Sequence, residues 1–246
     1  MFDPFNDFNE VGYLRNINKD KEPDIVKRFE HELFRVHLSD AFQFIENKKN
    51  IDYTDFLKVH QILFAAYYPW AGQDRSEVLP NSDVFKGDIF FAHSNLVKRA
   101  VNEGLRLGQN KDSMNNKPGE IMGLFAYAHP FLDGNGRTML LIHFELANRA
   151  GYSIAWSKTN KIDYLTALTD EIQSPGKGIL DSYLLPFKRP QLAREYWSKE
   201  VLAMNGLDGL DSDNVVVSDI ADSIISEKYR QFEQRRNYSY LNIDSV

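Results

Sequence analysis

The 246-residue chain contains no cysteine. Disulfides, thiolate nucleophiles and cysteine-ligated zinc are therefore excluded from any account of it. It also lacks a basic face: 29 lysines and arginines stand against 35 aspartates and glutamates, a net charge of −6. Binding to nucleic acid rests on clustered positive charge, and the densest basic pair, Arg235-Arg236, is flanked by acids and amides. No nucleic-acid partner is expected. No apolar run approaches the roughly 20 residues of a membrane span. The opening residues, MFDPFNDFNEVGYLRN, carry acids where an export signal needs positive charge and then an apolar run. The expected location is the reducing cytoplasm, with export by a route that has no readable N-terminal signal left open. Neither a Gly-Lys-Ser/Thr phosphate loop nor a dinucleotide fingerprint occurs.

What is present is helical spacing. From Asp24 to about Lys48, apolar residues fall at Val26, Phe29, Leu33, Val36, Leu38, Phe42 and Ile45, the recurrence of one helix face. Thr54 reads as the N-cap of a helix through Leu57, Val59, Ile62 and Leu63, and Ser94 or His93 as the start of another through Leu96, Val97 and Leu105. Pro118 suits a first helical position. RTMLLIHFELANRAG, Arg137 to Gly151, is a strong helix closed by a C-terminal glycine. His143 on that helix, and Tyr68 and Trp70 before it, read as core residues.

Between Arg75 and Ala92, RSEVLPNSDVFKGDIFFA has turn signals at Pro80-Asn81-Ser82 and Lys86-Gly87-Asp88 with β-favouring residues around them. That pattern predicts a short, partly exposed β-hairpin. MNGLDGLDSDN, Met204 to Asn214, reads as a linker, and an amphipathic helix is expected from about Val215 to Arg235. The fold class is mainly α with a short β-hairpin, plus a C-terminal helix. The expected division is 1–203 as the catalytic domain, 204–214 as linker and 215–246 as a C-terminal helical extension.

One stretch breaks the helical run with chemistry: HPFLDGNGR, His129 to Arg137. Gly134 and Gly136 allow a tight turn with exposed N–H groups on either side of Asn135, and a helix N-terminus follows at once. Together these make an anion hole suited to phosphate. Arg137 adds a charge with fork geometry for phosphate oxygens. Asp133 is a hard oxygen ligand of the kind a phosphate-bridging magnesium ion takes. His129 brings an imidazole, a group that can take a proton from an attacking hydroxyl. Base, metal ligand and phosphate cradle in one loop suggest phosphoryl or nucleotidyl transfer.

HPFLDGNGR resembles the signature of the Fic family, His-Pro-Phe-x-Asp/Glu-Gly-Asn-Gly-Arg, at all eight specified positions. The resemblance extends upstream through LFAAYYPWAGQDR, Leu63 to Arg75, and downstream through ELANRAGYSI. It implies a Fic-type helical bundle that transfers AMP from Mg-ATP to a Ser, Thr or Tyr hydroxyl of a target protein. In that reading His129 is the general base and Asp133 holds Mg2+. Gly134, Asn135 and Gly136 form the anion hole, Arg137 contacts phosphate, and the hairpin at about 75–92 is a flap on which the target docks by strand addition.

The resemblance also marks departures. Many family members carry a second arginine three residues after the first; Leu140 stands there. An inhibitory Ser/Thr-x-x-x-Glu-Gly/Asn helix, in the same chain or in an antitoxin-like partner protein, is another family feature. The only Ser/Thr-x-x-x-Glu here is Ser223 to Glu227, followed by Lys228, and an ordinary helix face explains it equally well. ATP or another nucleotide as donor, removal rather than addition of AMP, and a non-catalytic toxin-like binding module all stay open at this point.

Overall fold

A computed structural model describes residues 2–204, 206–207, 215–219 and 221–238. It is mainly helical. The first long helix, α1 (Pro23–Glu46), opens on proline and buries Val26, Glu30, Phe34, Leu38, Ala41, Phe42 and Ile45. The true stripe therefore runs through Glu30 and Phe34 rather than Phe29 and Val36, which are 42% and 67% exposed. Helix α2 (Tyr53–Phe64) is capped by Asp52, not by Thr54: the Asp52 carboxylate accepts from the Asp55 N–H while Asp55 accepts from the Asp52 N–H. Thr54 only donates its hydroxyl to Asp52, 2.6 Å away. An acid two residues earlier completed a reciprocal box that threonine could not.

Helix α3 (Val97–Gln109) follows a 3-10 turn at Ser94–Leu96 with His93 at its cap position. Two helices then form the centre. Every residue of α4 (Pro118–Ala128) is buried, and α5 (Asn135–Ala150) buries all but a few. The loop carrying the signature joins them, so both its ends are clamped in the core. Around this pair lie β3 (Tyr152–Ile154), α6 (Lys161–Gln173), α7 (Ile179–Leu184) and β4 (Lys188–Pro190), with β3 and β4 antiparallel. As expected of core residues, His143 is fully buried and donates from Nε2 to the Pro118 carbonyl at 2.9 Å. Burial pushes its pKa down to about 4. Tyr68 and Trp70 are also core.

The hairpin forms where the turn signals put it. A short helix at Arg75–Val78 leads into β1 (Ser82–Lys86), which pairs with β2 (Ile89–Phe90), Phe85 opposite Phe90. One expectation fails here. Val215–Asp219 is not the start of a helix but a strand, β5, antiparallel to β1 over its whole length, from Ser82 opposite Asp219 to Lys86 opposite Val215. The sheet order is β2-β1-β5. A run of β-branched valines prefers the pleat to the helix, and it covers the β1 edge that sequence alone left exposed.

The C-terminal helix, α8 (Ser223–Arg236), begins after an Asp222 N-cap and buries Tyr229, Phe232 and Arg236. Tyr229 and Phe232 pack on Phe90, and the Arg236 guanidinium lies over the Tyr127 ring and donates to the Ile172 carbonyl at 2.7 Å. Burial of each such ring is worth about 1.5–3 kcal/mol, so this helix is held by the body of the protein. Most of the expected linker, 205 and 208–214, lies outside the described residues.

Candidate active site

Helix α4 ends at Ala128, and His129 takes the left-handed conformation at its C-cap, φ 42°. That turn swings the imidazole against Phe91, ring centroids 3.9 Å apart, at the wall of a cavity. The backbone beneath is braced by Arg75, which is fully buried. Its Nε donates to the His129 carbonyl at 2.8 Å and its Nη2 to the carbonyls of Ala92 and Ala128. Burial lowers its pKa to about 10, so it keeps its charge at neutral pH.

From His129 the chain dives inward. Phe131 is buried between Phe56 and His60. His60 Nδ1 accepts from the Gly72 N–H and Nε2 donates to the Asp133 carbonyl, each at 3.0 Å. This network assigns a neutral tautomer, and burial holds the ring's pKa down at about 3. The Asn135 side chain bridges the loop, donating to the Phe131 carbonyl at 2.8 Å and accepting its N–H at 2.9 Å. The Asn135 amide thus fixes the loop, while its backbone opens the helix.

Gly134 sits at φ 76°, and a Cβ there would lie 2.5 Å from Phe64. At Gly136 a Cβ would meet nothing within 4 Å: the space beside it is cavity. No side chain caps the N-terminus of α5, so its first N–H groups and its dipole face that space. The Asp133 carboxylate lies on the same wall, with Oδ1 accepting the Gly134 N–H at 2.6 Å and Oδ2 paired with Lys27 of α1. Burial works to lower the Lys27 ammonium pKa, but Asp133 outweighs it and the net displacement is upward. Arg137 reaches back to a buried ion pair with Glu30, whose other oxygen accepts from Tyr68 Oη at 2.5 Å.

The cavity has a volume of about 330 Å³, at the lower end for small-molecule sites. Its polar lining includes His129, Asp133, Gly134 to Arg137, and three lysines, Lys27, Lys86 and Lys161. Its apolar lining includes Leu140, Trp156, Tyr164, Leu165, Leu168 and Leu207. The fold therefore brings His129, Asp133, Gly134, Asn135, Gly136 and Arg137 to the wall of one cavity. Ser223 and Glu227 are elsewhere: both are exposed, neither lines the cavity, and Glu227 pairs with Arg230 at 2.7 Å. That pairing and Gln231 hold the Glu227 carboxyl down at about 2. Among the described residues no group of three or more His, Cys, Asp and Glu is placed to hold a metal alone. A magnesium ion shared with a polyphosphate takes its remaining ligands from phosphate and water, and the single carboxylate of Asp133 on the anion wall fits that use.

Sequence reading missed Lys27, Glu30, His60, Arg75, Lys86 and Lys161. Glu30 did leave a signal, an acid at a stripe position between Val26 and Phe34.

Residues 50–147 match the model of the Fic/DOC family. The chain is similar to the protein adenylyltransferase VbhT of Bartonella schoenbuchensis, 28% identical over 175 residues, covering 65% of this chain but only 34% of that protein. A probable protein adenylyltransferase, y4lH of Sinorhizobium fredii, is 24% identical over 164 residues, covering 63% of this chain and 81% of the relative. Among solved structures, the ADP-bound N-terminal Fic domain of a Bartonella quintana effector aligns with TM-score 0.60 at 19% identity, over 79% of this chain and 96% of that one. BepC of Bartonella tribocorum, with bound AMPPNP, aligns with TM-score 0.55 at 18% identity, over 72% and 92%. These solved Fic domains share the mainly helical fold. Among the described residues no helix is long and apolar enough to cross a membrane.

Proposed function

We propose that this Fic domain is a protein adenylyltransferase that moves AMP from Mg-ATP to a Ser, Thr or Tyr hydroxyl of a target protein in the cytoplasm. The observation that carries the reading is the cavity itself: an imidazole, a carboxylate, an uncapped helix N-terminus and several cations line it together with a set of apolar side chains. A polyphosphate suits the polar groups and a nucleoside base the apolar ones. The relatives' names, and the AMPPNP and ADP bound in the two solved Fic domains, agree with a nucleotide.

In this mechanism the N–H groups around Gly136 and the charge of Arg137 receive the α- and β-phosphates. His129 takes the proton of the acceptor hydroxyl as that oxygen bonds to the α-phosphorus. The bond to the β-phosphate oxygen breaks, and pyrophosphate leaves. Asp133 would hold Mg2+, which supplies Lewis-acid stabilisation of charge on the phosphates. The target segment reaches the imidazole along the flap, by strand pairing.

A second reading is favoured by Leu140, an apolar residue on the cavity wall at the position of the family's second arginine: the donor is another phosphate-linked compound. One experiment separates the two. The purified protein and host lysate are incubated with ATP labelled at the adenine or at the γ-phosphate, and with other labelled nucleotides, and proteins are read by mass spectrometry. Adenylylation places adenine label, not γ label, on protein. Label from another donor alone selects the second reading, and label from none leaves a nucleotide-binding module, whether free or held by an antitoxin-like partner.

A further inference from the structure

We propose that strand β5 is an intramolecular pseudosubstrate: it occupies the β1 edge on which an acceptor segment would pair, and an acceptor must displace it. This rests on the reading of the flap as the acceptor dock.

The register supports it. All five residues of β1, Ser82 to Lys86, have a partner in β5, so the edge is covered end to end. The strand also passes the site. Lys86 lines the cavity with His129, and its partner is Val215. Phe91, the ring stacked on the His129 imidazole, donates its N–H to the Val84 carbonyl, so the position of the sheet beside His129 is that of Val84, whose partner in β5 is Val217. The residues of β5 are Val215-Val216-Val217-Ser218-Asp219. The first three carry no hydroxyl, and Ser218, next to Val217, projects from the opposite face of the strand. The chain thus fills the acceptor's place without offering an acceptor there.

Two features set the strength of the block. The strand lies at the edge of the sheet and Val216 is 45% exposed, so its own burial is modest. It is nevertheless tethered close to α8, which is anchored by Tyr229, Phe232 and Arg236. A short tether gives an effective concentration on the order of mM, and a free segment must compete with that. The partner this edge fits is an extended, β-branched segment that presents a hydroxyl at the position Val217 holds.

The chain has no native cysteine, so a Ser82→Cys/Asp219→Cys pair, at facing positions, makes a reversible lock in the full-length protein. The probe is a fluorescent peptide of sequence VVVSD with solubilising lysines, read by anisotropy. Oxidised lock, reduced lock and Val217→Pro are compared, with nucleotide binding checking that each is folded. We expect the oxidised lock to bind the peptide at least tenfold more weakly than Val217→Pro, and reduction to restore wild-type binding. If Val217→Pro does not fold, the oxidised and reduced locks alone decide. Equal binding by the oxidised and reduced forms, or none by any form, overturns the proposal. Transfer from labelled ATP is read in parallel: gated peptide binding with no transfer overturns the transferase reading and leaves the strand assignment standing.

Discussion

Arg137 of the signature loop and Glu30 of α1, 107 positions apart, form a buried ion pair, with the Glu30 side chain wholly inaccessible to solvent. Removing one partner of such a pair leaves an uncompensated buried charge and costs about 3–5 kcal/mol. We expect Glu30→Ala to lower the melting temperature by roughly 10 °C and to weaken nucleotide binding through a displaced Arg137. A melting temperature within about 2 °C of wild type, the shift of a change worth under 1 kcal/mol, would remove Glu30 from this role.

His129→Ala should reduce transfer by about 10²–10⁴-fold while nucleotide affinity stays near wild type, because in the proposed mechanism the imidazole serves the acceptor rather than the phosphates. Paired measurements of turnover and of nucleotide binding check this. Wild-type turnover in the variant would end the general-base assignment.

Lys27 is paired with the Asp133 carboxylate, for which magnesium would compete in the proposed mechanism. Replacing Lys27 with Met should lower, severalfold, the Mg2+ concentration that half-saturates nucleotide binding; Asp133→Asn should raise it. Calorimetric titration of Mg2+ into the nucleotide-bound protein gives both midpoints. If neither moves, the metal is not on Asp133.

The sequence made the fold class and the loop legible because both are local. Helical spacing, Pro118, Gly151 and the nine residues from His129 to Arg137 each declare themselves within a turn or two. What escaped was set by distance in the chain. Nothing near Arg137 announces Glu30, nothing near Asp133 announces Lys27 or His60, and nothing near Ser82–Lys86 announces that Val215–Asp219 will pair with it. The short apolar run VVV suited either helix or strand by periodicity alone, and tertiary pairing decided it.

Asp181 accepts the N–H groups of Gly119 and Glu120 at 2.6 and 3.2 Å, yet burial raises its carboxyl to about 6. A folded-state pKa above the ordinary value of about 3.9 means the native state binds the extra proton. Ionising Asp181 therefore costs stability progressively from about pH 4 to 6, and the full cost is present above that. Asp181→Asn keeps an acceptor for both N–H groups and removes the ionisation. Relative to wild type, the variant should gain thermal stability as pH rises through this window, measured by melting at pH 4, 5, 6 and 7. A difference independent of pH would refute the assignment.

Glu227→Gly tests the inhibitory reading of the tail. With Glu227 exposed and paired to Arg230, we expect automodification within about twofold of wild type. An increase of tenfold, about 1.4 kcal/mol in barrier, would show that α8 visits the cavity.

The Arg75 brace has a mechanical consequence. One guanidinium at the root of the flap grips the carbonyls of His129, Ala128 and Ala92, and the Arg75 N–H holds the Pro130 carbonyl at 2.7 Å. On the proposed reading, the strand that would align an acceptor and the imidazole that would take its proton are bolted to a common mount. If the mount shifts, both shift together, so alignment would survive motion that would ruin it in a flap hinged separately. Selectivity would then reduce to counting: which residue of a paired strand falls opposite the imidazole would be settled by hydrogen-bond register, in steps of one residue, rather than by the shape of any pocket for the side chain.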